Sequence, residues 1–176
     1  MSMAMERGAD IIRSEFTTGL SNLHAVEKQA RELIERQIER LRNYPEMAMR
    51  LRQHLDETNR QEERLDRLLE SYGESSSTLK DLAMKFTANM AAVSHAFSDD
   101  EIIKNTIANF AFENFEIASY QTSIAMAKMG GFHEAIPVLE TSLREEEDMA
   151  NWVRSHIDAT TQQYLTLKAS GEKADR

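Results

Sequence analysis

Glycine and proline are scarce in this chain, and they fall between long segments whose apolar residues recur at helical spacing. Six glycines and two prolines occur among 176 residues. The breaks that they mark lie at Pro45, at Gly73 and at Gly130–Gly131. No segment alternates apolar and polar residues with a period of two, which argues against strands. The sequence therefore predicts an all-α fold.

Four long helices are expected between these breaks, at about 10–42, 45–72, 98–129 and 133–168. Short turns join the first helix to the second and the third to the fourth, so each pair should form an antiparallel hairpin. About 25 residues separate the hairpins and include a further predicted helix at about 78–97, with Ser98 and Asp99 as the N-cap of the next. One long crossover containing an additional helix is typical of the ferritin-like four-helix bundle. We expect a single domain over residues 1–168 and a disordered tail at 169–176.

Four glutamates form a duplicated pair within the apolar stripes of these helices. Glu27 is followed 30 residues later by Glu57, Glu116 is followed 30 residues later by Glu146, and a shift of 89 residues carries one pair onto the other. Each lies in or beside a stripe, as with Glu146 among Leu139, Leu143 and Val153. Burial of an ionised carboxylate costs several kcal/mol or more unless it is paired or bound to a cation. The repeat predicts a metal cluster.

Two further residues complete the predicted set of ligands. His54 lies one turn before Glu57 on the second helix, and Glu113 lies one turn before Glu116 on the third. Carboxylate oxygens with an imidazole suit iron or manganese, and carboxylates can bridge two ions. The site should hold two iron or manganese ions, with the metal ligands as its only catalytic groups. The six predicted ligands are Glu27, His54, Glu57, Glu113, Glu116 and Glu146.

Composition excludes several other classes of protein. The chain has no cysteine, which rules out thiolate metal sites and thiol catalysis. A net charge of -9 disfavours nucleic acid and anionic membranes as partners. The sequence contains no run of 18 apolar residues, so it predicts no membrane-spanning helix. With no apolar signal segment near its start, the chain is expected to act in the cytoplasm.

Four short segments resemble the signatures of the bacterial YciE/YciF family of ferritin-like, rubrerythrin-like proteins. They are Val26-Glu27-Lys28-Gln29, His54-Leu55-Asp56-Glu57-Thr58, Glu113-Asn114-Phe115-Glu116-Ile117-Ala118-Ser119-Tyr120 and Leu143-Arg144-Glu145-Glu146. The resemblance, which covers about 16–158, implies a homodimer that acts in stress responses and is often named a ferroxidase. The sequence departs from the family in carrying Asn114 and Phe115 where His and Tyr are common.

The interpretation that combines these features is a dinuclear carboxylate protein that oxidises ferrous iron or consumes peroxide. Its partners would be metal ions, dioxygen or peroxide, and a second copy of the chain, whose contact would include the apolar residues Phe112, Phe115 and Ile117. The alternative is a non-enzymatic helical-bundle stress or assembly protein without a bound metal. In that case Arg, Lys or water would satisfy the acids, as often happens for a single polar residue in a helical core.

Overall fold

A computed structural model of the chain describes residues 3–74 and 102–174, and all the regular structure in these ranges is helical. The four helices are α1 (Met3–Ile38), α2 (Pro45–Ser71), α3 (Ile102–Gly130) and α4 (Ala135–Ser170). Proline begins α2, where its missing N–H is not needed, and left-handed Gly131 opens the turn between α3 and α4. The predicted all-α fold is confirmed. None of the four combines the length and apolarity that crossing a membrane requires.

The helices pack as two antiparallel hairpins. Helix α1 contacts α2 and α3, while α4 contacts the same two helices from the opposite corner. Two contacts with each neighbour show that α1 runs antiparallel to both. Toward α2, His24 contacts Asp66 and Arg31 contacts Glu62. Toward α3, Glu27 contacts Tyr120 and Gln37 contacts Asn109. Helices α2 and α3 are therefore parallel and diagonal. The last residue of α2 and the first residue of α3 thus lie at opposite ends of the bundle, as the single crossover predicted from the sequence requires. The additional helix predicted at 78–97 and its neighbouring N-cap lie outside the described residues.

The apolar core is divided into two clusters at opposite ends of the bundle. One is built around Phe16, Leu69 and Tyr120, and the other around Ile34, Leu51 and Met149. Between the clusters, each helix contributes buried polar side chains to a common layer. Since every helix is held on both sides of this layer by close packing, the polar residues have little freedom to rearrange.

Residues 171–174, which belong to the segment predicted as a disordered tail at 169–176, pack against the turn between α1 and α2. Helix α4 continues to Ser170, and Gly171, with φ of 76°, turns the chain back. The Tyr44 hydroxyl then donates a hydrogen bond to the carbonyl oxygen of Ala174 over 2.6 Å. Only residues 175–176 of the predicted tail lie outside the described part of the chain.

Candidate metal centre

The polar layer contains five of the six predicted ligands. One lies on α1, one on α2, two on α3 and one on α4, and all are at most 4% exposed. The heptad register that places apolar residues inside also places these acids inside, because each occupies a core position of its helix. The five are Glu27, His54, Glu113, Glu116 and Glu146.

Three of these residues meet closely at the centre of the layer. Nε2 of His54 lies 3.2 Å from Oε2 of Glu113 and 3.5 Å from Oε2 of Glu146. One ligand atom from each residue falls within 4.8 Å of the other two. Three helices thus bring an imidazole nitrogen and two carboxylate oxygens to one point, an arrangement that can hold a metal ion.

Several buried polar atoms in this layer have no hydrogen-bond partner among the described residues. A buried acceptor without a partner loses its hydration and gains nothing in return, at a cost of about 1–3 kcal/mol and more when charged. Such an accumulation is rare in folded proteins and calls for a ligand. The atoms are Oε2 of Glu27, Nε2 of His54, Oε1 of Gln61, Oε2 of Glu113, both carboxylate oxygens of Glu116 and Oε2 of Glu146. Nε2 of His54 lies at ion-pair distance from the oxygens of Glu113 and Glu146, but without hydrogen-bond geometry.

Burial and mutual repulsion shift the protonation of the acids. Burial raises the pKa of Glu27 to about 8, although the hydrogen bond from Tyr120 opposes the shift. Burial also raises the pKa of Glu116, helped by the charge of Glu146. Burial raises the pKa of Glu146 as well, helped by the charge of Glu27 and opposed by that of His54. The surrounding carboxylates raise the pKa of His54 even though burial acts against its charge. Without a cation the layer is therefore expected to retain protons, which metal binding would release.

The sixth predicted ligand, Glu57, lies at the rim rather than inside the layer. Its carboxylate accepts hydrogen bonds from Nδ1 of His54 at 3.0 Å, from Gln53 at 2.8 Å and from Arg50 at 3.1 Å. Burial works against ionisation here, but the three donors outweigh it and lower the pKa of Glu57 to about 2. In this conformation Glu57 fixes the ring of His54 and leaves Nε2 facing the other acids.

Two other residues of the layer contact predicted ligands directly. The Tyr120 hydroxyl donates a hydrogen bond to Oε1 of Glu27, and the Gln61 amide donates one to Oε1 of Glu146. Tyr120 follows Glu116 by one helical turn, a spacing that allows such a role. Gln61 follows Glu57 by one turn, but a single amide within an apolar stripe does not indicate from sequence that it contacts a metal ligand.

Asn114, where the sequence departs from the signatures that it resembles, lies away from this layer. Its side chain is exposed and donates a hydrogen bond to the backbone carbonyl of Phe110 one turn earlier. A histidine at that position of this helix would also lie outside the layer. The departure therefore removes no ligand from the described cluster.

Fold and site together define an all-α four-helix bundle whose buried carboxylates and imidazole can hold a metal. Comparison with known proteins gives the family: residues 12–166 match the family described as a domain of unknown function, DUF892, and the chain belongs to it. It is 29% identical to protein YciF of Escherichia coli over 147 residues, which cover 77% of this chain and 84% of YciF. The resemblance to the YciE/YciF family is confirmed.

Solved structures share the fold. A protein from Xanthomonas campestris pv. campestris is similar with a TM-score of 0.75 and 27% identity, over 90% of this chain and 99% of that protein. The crystal structure described as the E. coli stress protein YciF gives a TM-score of 0.63 and 24% identity, over 83% of this chain and 94% of that protein. The predicted four-helix bundle is thus confirmed.

Proposed function

We propose that the buried layer is a dinuclear metal centre for iron or manganese and that it oxidises ferrous iron or consumes peroxide. The observation that carries the proposal is the set of buried oxygen and nitrogen atoms, contributed by all four helices, that have no hydrogen-bond partner in the described part of the chain. Hard carboxylate oxygens with one imidazole are a donor set that suits these metals. Glu27, His54, Glu113, Glu116 and Glu146 are the direct ligands, and Glu57 completes the site through His54.

The chain's own residues prepare this chemistry. Two bound ferrous ions would supply the two electrons that reduce dioxygen to hydrogen peroxide, or peroxide to water, with two protons taken up in either case. The apolar clusters on both sides exclude bulk water, so the charges of Glu116 and Glu146 act in a medium of low dielectric constant. Tyr120 and Gln61 each hold one oxygen of a ligand and leave the second oxygen available.

Stopped-flow absorbance of ferrous iron mixed with aerated protein tests the activity. Wild-type protein should oxidise ferrous iron faster than buffer alone, and Glu116→Ala should reduce the rate to that of buffer. Asp148→Ala is the matched control, because it removes an exposed acid two residues from Glu146. Equal rates for wild type, Glu116→Ala and buffer would refute the catalytic proposal.

A non-enzymatic bundle without metal is the second candidate. It is favoured by the donors that already reach three of the acids, from Tyr120 to Glu27, from Gln61 to Glu146 and from Arg50 to Glu57. Protons retained by the remaining acids would then take the place of metal ions. Metal content after growth with added iron or manganese separates the two, since this candidate requires none.

A homodimer is the proposed assembly. Its support is the apolar outer surface of α3, on which Ile107 is 55% exposed and Phe115 is 38% exposed, with Phe112 and Ile117 half-buried beside them. Light scattering at micromolar concentration should give twice the mass of the 20.2 kDa chain. A monomer mass would refute the dimer.

The cellular setting is proposed from the relative named a stress protein. We place this chain in the cytoplasm as one domain over residues 1–168 that acts when bacteria are exposed to oxidants. Deletion of its gene should lower survival in hydrogen peroxide, and fractionation should recover the protein with cytoplasmic markers. Unchanged survival, or recovery in another fraction, would contradict these assignments.

A further inference from the structure

The polar contacts of Gln61 continue outward from the candidate ligands to the protein surface. Gln61 is fully buried on α2, and its amide nitrogen contacts two carboxylates of α4. It donates one hydrogen bond to Oε1 of Glu146 and another, over 3.0 Å, to Oε2 of Glu145. Both amide hydrogens are therefore in use, each on a different acid.

The neighbours of Gln61 determine the orientation of its amide. If the amide were reversed, its carbonyl oxygen would face the Glu145 carboxylate that Arg64 binds, and no hydrogen would lie between the two oxygens. In the orientation observed, Oε1 of Gln61 is instead buried without a partner. Because Gln61 binds Oε1 of Glu146, the other oxygen, Oε2, is the one that faces His54 and lies 3.5 Å from Nε2 of that histidine.

An ion pair at the rim holds the outer end of this chain of contacts. Arg64 binds Glu145 through both terminal nitrogens, over 2.6 and 2.9 Å, and also donates to Ser142 over 3.0 Å. The side chains of Arg64 and Glu145 are 18% and 20% exposed. A bidentate pair of this kind fixes the plane of the carboxylate as well as its position.

We propose that Gln61 is a positioning residue of the metal centre and that the Arg64–Glu145 pair holds it in place. The chain of contacts selects which oxygen of Glu146 is presented to the metal. This inference rests on the proposed metal-binding function, and it adds three residues, Gln61, Arg64 and Glu145, that do not themselves touch the metal. Outer residues that orient ligands commonly change metal affinity by about 10- to 100-fold when they are replaced.

Titration with Co²⁺, followed by its visible absorption, tests the proposal on the metal-free full-length protein. The intensity and shape of the bands report the coordination geometry, which a purely structural role of Gln61 would leave unchanged. The variants are Gln61→Leu and Glu145→Gln. The matched control is Glu62→Gln, because Glu62 forms a similar ion pair between helices, 2.7 Å from Arg31, with side chains 18% and 26% exposed.

The expected result is a graded loss of affinity. Gln61→Leu should weaken Co²⁺ binding by about 10- to 100-fold and alter the bands, and Glu145→Gln should weaken it by at least about threefold. Glu62→Gln should change affinity by less than about twofold. If Gln61→Leu fails to fold, as judged by circular dichroism, the comparison of Glu145→Gln with Glu62→Gln decides alone.

Three negative results have distinct consequences. Unchanged affinity and spectra in the folded variants, with normal binding by wild type, would overturn this inference and leave the proposed function intact. A wild-type protein that binds no Co²⁺ would overturn the proposed function, and the positioning role with it. Equal losses of Co²⁺ affinity in Glu145→Gln and Glu62→Gln would mean that removal of a nearby charge explains the effect, and would also overturn the inference.

Discussion

The hydroxyl of Tyr120 on α3 lies 2.5 Å from Oε1 of Glu27 on α1 and donates a hydrogen bond to it. Both side chains are essentially buried, and Oε2 of Glu27 has no partner among the described residues. Tyr120 thus supplies the hydrogen bond that limits the cost of burying this acid. It also joins the two hairpins at the level of the candidate metal centre.

Tyr120→Phe is expected to destabilise the metal-free protein. The substitution keeps the ring but leaves Glu27 without a donor, at a cost of about 1–3 kcal/mol in the free energy of unfolding. Urea denaturation with chelator present measures the effect. Tyr164→Phe on α4 is the control and should stay within about 0.5 kcal/mol of wild type. Equal effects of the two substitutions would mean that the contact with Glu27 contributes nothing.

Glu116→Leu is expected to stabilise the metal-free protein. Neither oxygen of Glu116 has a hydrogen-bond partner among residues 3–74 and 102–174. Its removal should therefore relieve desolvation and the repulsion from neighbouring carboxylates without leaving a described donor unpaired. The gain should be on the order of 1–4 kcal/mol, as for buried polar and ionic clusters that are replaced by apolar residues in other proteins. Stabilisation by added metal should disappear in the same variant, because the ligand is lost.

Glu27→Leu and Glu146→Leu are the comparison for this prediction. Their metal-free stability should increase less than that of Glu116→Leu, because each substitution leaves a buried donor, Tyr120 or Gln61, without its acceptor. Thermal melts with chelator measure the metal-free stability, and melts with added iron measure the stabilisation by metal. A fall in metal-free stability for Glu116→Leu, together with an unchanged response to metal, would identify a polar core instead of a metal site.

The stability of the metal-free protein should fall as pH rises through the neutral range. Folding raises the pKa of Glu27 from 4.5 to about 8, so folding favours its protonated form. The stability that this proton confers is fully present below pH 4.5 and is lost as pH rises through about 8. The raised pKa of His54 acts in the same direction, from its ordinary value of 6.5 upward.

Glu27→Gln should flatten this dependence, because glutamine does not titrate. Glu57 contributes in the opposite direction: with a folded pKa of about 2, its stabilisation is present above pH 4.5 and is lost as pH falls toward 2. Denaturation with chelator at several pH values between 5 and 9 measures the slope. A wild-type stability that rises across this range, or an equal slope in Glu27→Gln, would contradict the protonation assigned to the layer.

Helical periodicity and the positions of Pro45 and Gly131 were sufficient to predict the four helices and their hairpins. Apolar spacing also predicted that Glu27 and Glu146 would be buried, because each occupies a core position of its helix. Such features depend on local repeats along single helices, which a sequence displays directly.

The contacts among side chains could not be predicted in this way. Glu57 shares a face with His54, yet whether it turns inward or toward Arg50 depends on rotamers and on what α4 presents opposite. The role of Gln61 likewise depends on Glu145 and Glu146, which lie more than 80 residues away in sequence and on a different helix, α4. The ion pair of Glu145 with Arg64 depends in the same way on residues of two different helices.

The most direct test of the central claim is the metal content of the full-length protein purified without chelator from cells supplied with iron or manganese. Mass spectrometry of the metals, set against protein concentration, should give close to two ions per chain for wild type. Glu116→Ala should lose most of this metal, and Asp148→Ala should retain it. Wild-type protein that carries no iron or manganese under these conditions would contradict the account and leave a metal-free helical bundle.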